Sequence, residues 1–162
     1  MRIALFVAFA VLNLGVVNGL IVGKERLLRE GQVVFLRLVP RDPRSLIQGD
    51  YMALNYDMAD AASRGLRMAR PHKGCVVVKL DERNVGSFVR FHRGEALGPG
   101  ELLLVYRRAK WGRIGVGPRS FFFQEGHART YARAKYGELR VSPAGECVLV
   151  GLRGEGLEPL GP

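Results

Sequence analysis

From Ile3 to Val22 the chain runs for 20 residues without a charge, IALFVAFAVLNLGVVNGLIV. As a helix this stretch is about 30 Å long, enough to cross the hydrocarbon core of a bilayer. Buried helices of soluble proteins seldom lack charge over such a length, so the segment reads as a membrane span or a secretory signal. Arg2 before the apolar run resembles a signal's basic start. The residues around Gly19 make a poor cleavage site, and an uncleaved anchor over residues 1–23 is favoured. Asn13 and Asn18 are polar but tolerable, the more so if a second transmembrane helix receives them. Gly15 and Gly19, four apart, sketch a small-residue face for such a contact. Lys24, Arg26 and Arg29 behind the run favour a cytoplasmic domain by the positive-inside rule. The signal-like start and the cysteine pair favour export, and a single-pass inner-membrane anchor with a periplasmic domain is the expectation.

The 162 residues leave room for one further domain, or two intimate halves. The formal charge of +10 points toward an anionic partner, yet 20 of the 25 basic residues are Arg and they are scattered. The densest spots are pairs such as Arg107-Arg108. A solvated basic surface is the default reading, and a basic face against anionic lipid or lipopolysaccharide is the alternative. A membrane anchor argues against nucleic acid as the partner.

Two segments share a pattern: PRSLIQGDY from Pro43 and PRSFFFQEG from Pro118. Each follows a strand-like run, VVFLRLVP at 33–40 and LLLVYRR at 102–108. Each is followed, after a helix-like insertion, by a strand that opens at a cysteine, Cys75 or Cys147. These matches divide the chain into a juxtamembrane linker (24–31), a first β-rich half (32–93), a turn-rich connection (94–100) and a second half (101–162). Helices are expected over Asn55–Arg70, with Asp57 as cap, and over His127–Tyr136. The segment AKWGRIGVG reads as a hairpin. The fold class is α+β, mainly antiparallel β, behind an N-terminal transmembrane helix, with one or two short helices.

Residues 49–56 spell Gly-Asp-Tyr-Met-Ala-Leu-Asn-Tyr, and a second block, FFFQEGHARTYARAKYGELRV, follows downstream. Both blocks, in this order behind an apolar start, resemble the GDYXXLXY family of bacterial membrane-anchored proteins. The resemblance implies membrane attachment and a gene that neighbours those of multi-span membrane proteins, and it implies no particular reaction. Read physically, Gly49-Asp50 makes a turn and the following strand puts Met52, Leu54 and Tyr56 on one face. Leu54 and Tyr56 suit a core whose rim receives the Tyr hydroxyl.

Candidate chemistry is sparse. Gln48, Asp50 and Tyr51 in one turn and Gln124, Glu125 and His127 in the other are the candidate binding residues. Asp50, Glu125 and His127 gathered in one cleft would make an envelope hydrolase. Glu125 and His127 lack the second His of a zinc helix, so no metal is expected. No phosphate loop or dinucleotide fingerprint occurs, so no cofactor is expected. Cys75 and Cys147 are either buried thiols or a disulfide. Phe121-Phe122-Phe123 is expected to be buried on both faces of a strand, with one face as a docking patch for a partner or the bilayer surface as the alternative. A non-enzymatic anchored binding or assembly module, working with a multi-span membrane partner, is the leading functional expectation.

Overall fold

In the computed structural model, which describes residues 2–39, 51–64, 72–108 and 113–161 with side chains from residue 9 onward, the first helix does not stop where the apolar run stops. Helix α1 spans Arg2–Glu30. Lys24–Glu30 are strong helix formers, and two i,i+4 pairs, Arg26 with Glu30 (2.8 Å) and Arg29 with Glu25 (3.9 Å), lie on that last stretch. The expected linker over 24–31 is therefore the rigid end of the helix. Its Leu27 is buried, and the Arg140 guanidinium donates to the Gly31 carbonyl just beyond it at 3.3 Å. Among the described residues no helix is long and apolar enough to cross a membrane. The apolar stretch with described side chains, Phe9–Gly23, is only about 22 Å of helix, so the fold does not establish the expected span.

After α1 come β1 (Gln32–Arg37), β2 (Tyr51–Ala53), α2 (Asp57–Arg64), β3 (Lys73–Leu80), β4 (Gly86–Phe91) and β5 (Glu101–Arg108). The second part holds β6 (Ile114–Val116), β7 (Ser120–Phe122), α3 (Ala128–Tyr131), β8 (Tyr136–Val141), β9 (Cys147–Arg153) and β10 (Pro159–Leu160). They form two four-stranded sheets, β1-β8-β9-β10 and β4-β3-β5-β6, and a two-stranded ribbon β2-β7, with every ladder antiparallel. The protein is mainly antiparallel β with few helices. The alternation seen in the sequence puts Val34 and Leu36 of β1, Val76 and Val78 of β3, Leu104 of β5 and Leu139 of β8 into one fully buried core.

The two halves do not build separate sheets. β1 of the first half pairs with β8, and β5 of the second half pairs with β3. A matching pattern survives this exchange, but it is shifted from the one read off the cysteines. The β3–β4 hairpin turns at Asp81–Val85, with Asn84 at φ 61°, and the β8–β9 hairpin turns at Ser142–Glu146, with Gly145 at φ 82°. Asp81 Oδ1 accepts the Val85 N–H, as Ser142 Oγ accepts the Glu146 N–H. Both hairpins also carry a bulge, at Val77/Val78 and at Glu138/Leu139. The counterpart of β3 is therefore β8, so Cys75 in β3 and Cys147 in β9 are not equivalent. The two thiols are free, on strands of different sheets.

Both helix expectations were too long. α2 begins only at Asp57 because Asn55 accepts the Val39 N–H and Tyr56 bridges Leu38, so the end of β1 holds that stretch extended. Residues 65–70 of the expected helix lie outside the described residues. α3 is a single turn, since Lys135 already donates to Arg153 and Tyr136 pairs with both Arg37 and Arg153. Ladder bonds on two sides outweigh local helix propensity there. The expected hairpin after Arg108 holds, with β6 pairing to β5, although 109–112 lie outside the described residues.

Two ion pairs secure the sheets. Arg153 donates through Nε (2.6 Å) and Nη2 to one oxygen of Glu138, the one buried charged residue described in the core. Arg153→Ala strands that carboxylate, and a loss of about 3 kcal/mol or more is expected in urea unfolding. Joint replacement of Glu138 and Arg153 by Gln and Met should cost much less. Arg90 grips Glu101 through two nitrogens at 2.6 and 2.9 Å, and the Gly98 N–H adds a bond at 2.8 Å. Arg90, then that N–H, holds the Glu101 carboxyl down at about 2. A depressed acid stabilises the fold above its ordinary value and loses that contribution as pH falls through the folded one. The pair's contribution should thus be complete above about pH 4.5 and fade toward pH 2, and Arg90→Gln should raise the Glu101 titration seen by carboxyl NMR.

Candidate functional site

The last Tyr of the Gly-Asp-Tyr motif is the structural key to the site. Leu54 and Tyr56 are buried as their spacing suggested. Met52, half-buried, packs at the edge of the same core. The Tyr56 hydroxyl donates to the Pro118 carbonyl at 2.9 Å, on the connection between β6 and β7. Its ring edge fills the space beside Gly117 and Gly137, where an added Cβ would come within 3.3 and 3.2 Å. Gly117 has φ +64°, a conformation costly for any side chain. Burial, then the nearby Cys147, raises the Tyr56 pKa well above its ordinary value. Tyr56 is therefore a neutral packing and hydrogen-bonding residue. It fixes the β6–β7 connection in place.

Directly above that connection lies a cleft of about 510 Å³. Lys24 reaches it from α1, Lys73 from the start of β3, and Val105, Arg107 and Arg108 from β5. Gly115, Gly117, Pro118 and Arg119 form one wall, and Glu146 with Cys147 the other. The cleft thus gathers five cations and one carboxylate. Sheet register explains the gathering. Lys73 lies directly opposite Arg107, and Arg107 opposite Gly115. A Cβ on Gly115 would sit 3.8 Å from the Cδ of Arg119. Lys73 and Arg107 therefore lie in one row across β3 and β5, and Arg119, on the β6–β7 connection, lies beside Gly115 at the end of that row. Lys24 faces Glu146 at 4.0 Å. Burial pushes the Cys147 thiol up to about 11, with Lys24 pulling it down and Glu146 pushing it up. At neutral pH this thiol is protonated and a poor nucleophile.

The residues singled out from sequence stand elsewhere. Gln48 and Asp50 lie outside the described residues. Tyr51 is half-buried on β2, its ring 5.8 Å from that of Phe122. Gln124 and Glu125 are exposed in the turn after β7, and His127 is half-buried ahead of α3. None of Gln124, Glu125 and His127 lines the cleft. Among the described residues no side-chain hydrogen bond joins Glu125 to His127, and no group of three or more His, Cys, Asp or Glu could hold a metal. The ribbon does bring Tyr51 opposite Phe122, so the two motif blocks meet in space. Phe121 and Phe123 pack on Tyr131, at 5.1 and 4.8 Å between centroids. Phe122 is 71% exposed, so the expected burial of both faces is corrected.

The family described as GDYXXLXY protein matches residues 13–152. This chain belongs to the GDYXXLXY family. Comparison with curated proteins and with solved structures returns no match. The tyrosine that closes the GDYXXLXY motif is the one beneath the cleft, which gives the motif a structural meaning in this member. Sequence reasoning missed the cleft because its cations come from positions far apart in the chain. Arg107-Arg108 was the single local hint.

Tyr56→Phe leaves the Pro118 carbonyl without its donor, and a loss of about 1 kcal/mol is expected. Tyr56→Ala also opens a cavity, with an expected loss of 3–5 kcal/mol in about the range for a buried aromatic. Chemical denaturation of the two variants checks the ratio.

Proposed function

We propose that this GDYXXLXY protein is a membrane-tethered, non-enzymatic binding module of the bacterial envelope. One observation carries the reading. On α1, Phe9, Val11, Leu12, Leu14, Val16, Val17, Leu20, Ile21 and Val22 are all 50% or more exposed, and their spacing covers every side of the helix. A helix that is apolar all round needs a nonaqueous cover on all sides. The sequence extends this uncharged stretch back to Ile3, giving the 20 residues a span requires. The same helix ends packed on β8 and β9. The β domain is thereby fixed at the membrane surface, with the cationic cleft beside the point of exit.

The absence of a convergent nucleophile and base in the described cleft, with Cys147 held protonated, favours binding over catalysis. A multi-span membrane protein remains the proposed partner of the anchor. Gly15, Gly19 and Gly23 recur every four residues with open space where a Cβ would go. Asn13 and Asn18 need no partner helix for their amide donors, because each donates to its own helix, at Phe9 (2.9 Å) and Leu14 (2.8 Å). Periplasmic placement of the domain belongs to the same proposal.

Full-length protein in its own host membrane should stay in the pellet through a carbonate wash and leave it only with detergent. Recovery of the intact chain in the wash would overturn the anchor. Trypsin added to spheroplasts should digest the β domain, whereas protection until lysis would place it in the cytoplasm.

A further inference from the structure

We propose that the cleft at the foot of α1 binds a phosphate-bearing anion. Lys73 and Arg107 occupy directly opposed positions on β3 and β5, a like-charge pairing that weakens a sheet. Gly115, the next residue in that row, carries no side chain, and Arg119 lies across it. The sheet thus sets two cations side by side, the β6–β7 connection adds Arg119, and α1 adds Lys24. Glu146 is the one carboxylate among the described lining residues, and it stands against Lys24. A concave surface with this excess of one sign concentrates counter-charge. Arg107 and Arg119 bring planar forks that suit phosphate oxygens.

Size narrows the ligand. About 510 Å³ falls in the range of small-ligand sites, about 300–1,000 Å³. A diphosphate or the glycerophosphate head of a lipid fills such a space better than a single small anion. Val105 and Cys147 add apolar surface to this cationic lining. Lys24 directly follows the apolar run and Gly23, so a headgroup beside the anchor could reach the cleft without leaving the bilayer. A soluble phosphate compound would use the same groups. The anion site rests on the reading of the β domain as a binding module; its lipid source alone also needs the membrane anchor.

The test uses full-length protein in a neutral detergent. Titration calorimetry with pyrophosphate reads the soluble source. Native mass spectrometry after exchange into nanodiscs of phosphatidylcholine with phosphatidylglycerol reads the lipid source. The parent should bind one of the two, with affinity falling as salt rises. An R107Q/R119Q double variant should weaken that binding at least about tenfold, since each lost phosphate contact of this kind matters by several-fold. R83Q, at an exposed turn away from the cleft, should leave it unchanged. The double variant's Tm should equal or exceed the parent's, because the repulsion from Lys73 is relieved. If that variant fails to fold, K73Q supplies the same comparison from a single exposed position. Pyrophosphate binding alone assigns a soluble ligand, and selective retention of phosphatidylglycerol assigns the headgroup. No binding in either arm, or equal weakening by R83Q, overturns the site. Neither result changes the carbonate-wash outcome, so the site and the anchor stand or fall separately.

Discussion

Pairing of β1 with β8, and of β5 with β3, interlocks the two parts of the chain. Both four-stranded sheets draw strands from both halves, so neither half can bury its apolar face alone. Val34 and Leu36 find Leu139 across the ladder, and Leu102 and Leu104 find Val78 and Val76. The hydrophobic core is single for this reason. Such distant pairings carry a loop-closure cost before any contact repays it, which favours slow, highly cooperative folding.

The interlock also decides where the cleft lies. Its walls come from α1, both sheets and the β6–β7 connection, and no part of the chain shorter than Lys24 to Cys147 contains them. Tyr56 sits where these pieces meet and ties α2 and β2 to Pro118. The GDYXXLXY motif therefore marks a packing junction under a charged surface. In this fold a family signature reports the support of the site, and the charged groups above it are spread along the chain.

Charge placement follows a contrast. Several acids have a basic partner close at hand: Glu138 with Arg153, Glu101 and Glu95 with Arg90, Glu30 with Arg26. These pairs belong to folding. In the cleft the balance reverses, and Lys73 faces Arg107 across a ladder. A local arrangement that opposes stability, set in a concavity, is the usual mark of a surface kept for a ligand.

What the sequence by itself determined is whatever depends on near neighbours. The uncharged run made a helix, the alternation in VVFLRL and the apolar run in CVVVKL made strands with the right residues inside, β6 folded back on β5, and Leu54 and Tyr56 went to the core. Helix ends were misjudged where ladder bonds from distant strands took over, at Tyr56 and at Tyr136. Matching the halves through their cysteines slipped by one strand, because a thiol's position says nothing about which hairpin surrounds it. Only the tertiary structure decided the strand exchange, the placing of Cys75 and Cys147 in different sheets, the exposure of Phe122 and the grouping of Lys73, Arg107 and Arg119. The physical reason is common to all four. Register between strands remote in sequence sets which side chains become neighbours, and no local pattern of residues encodes that register.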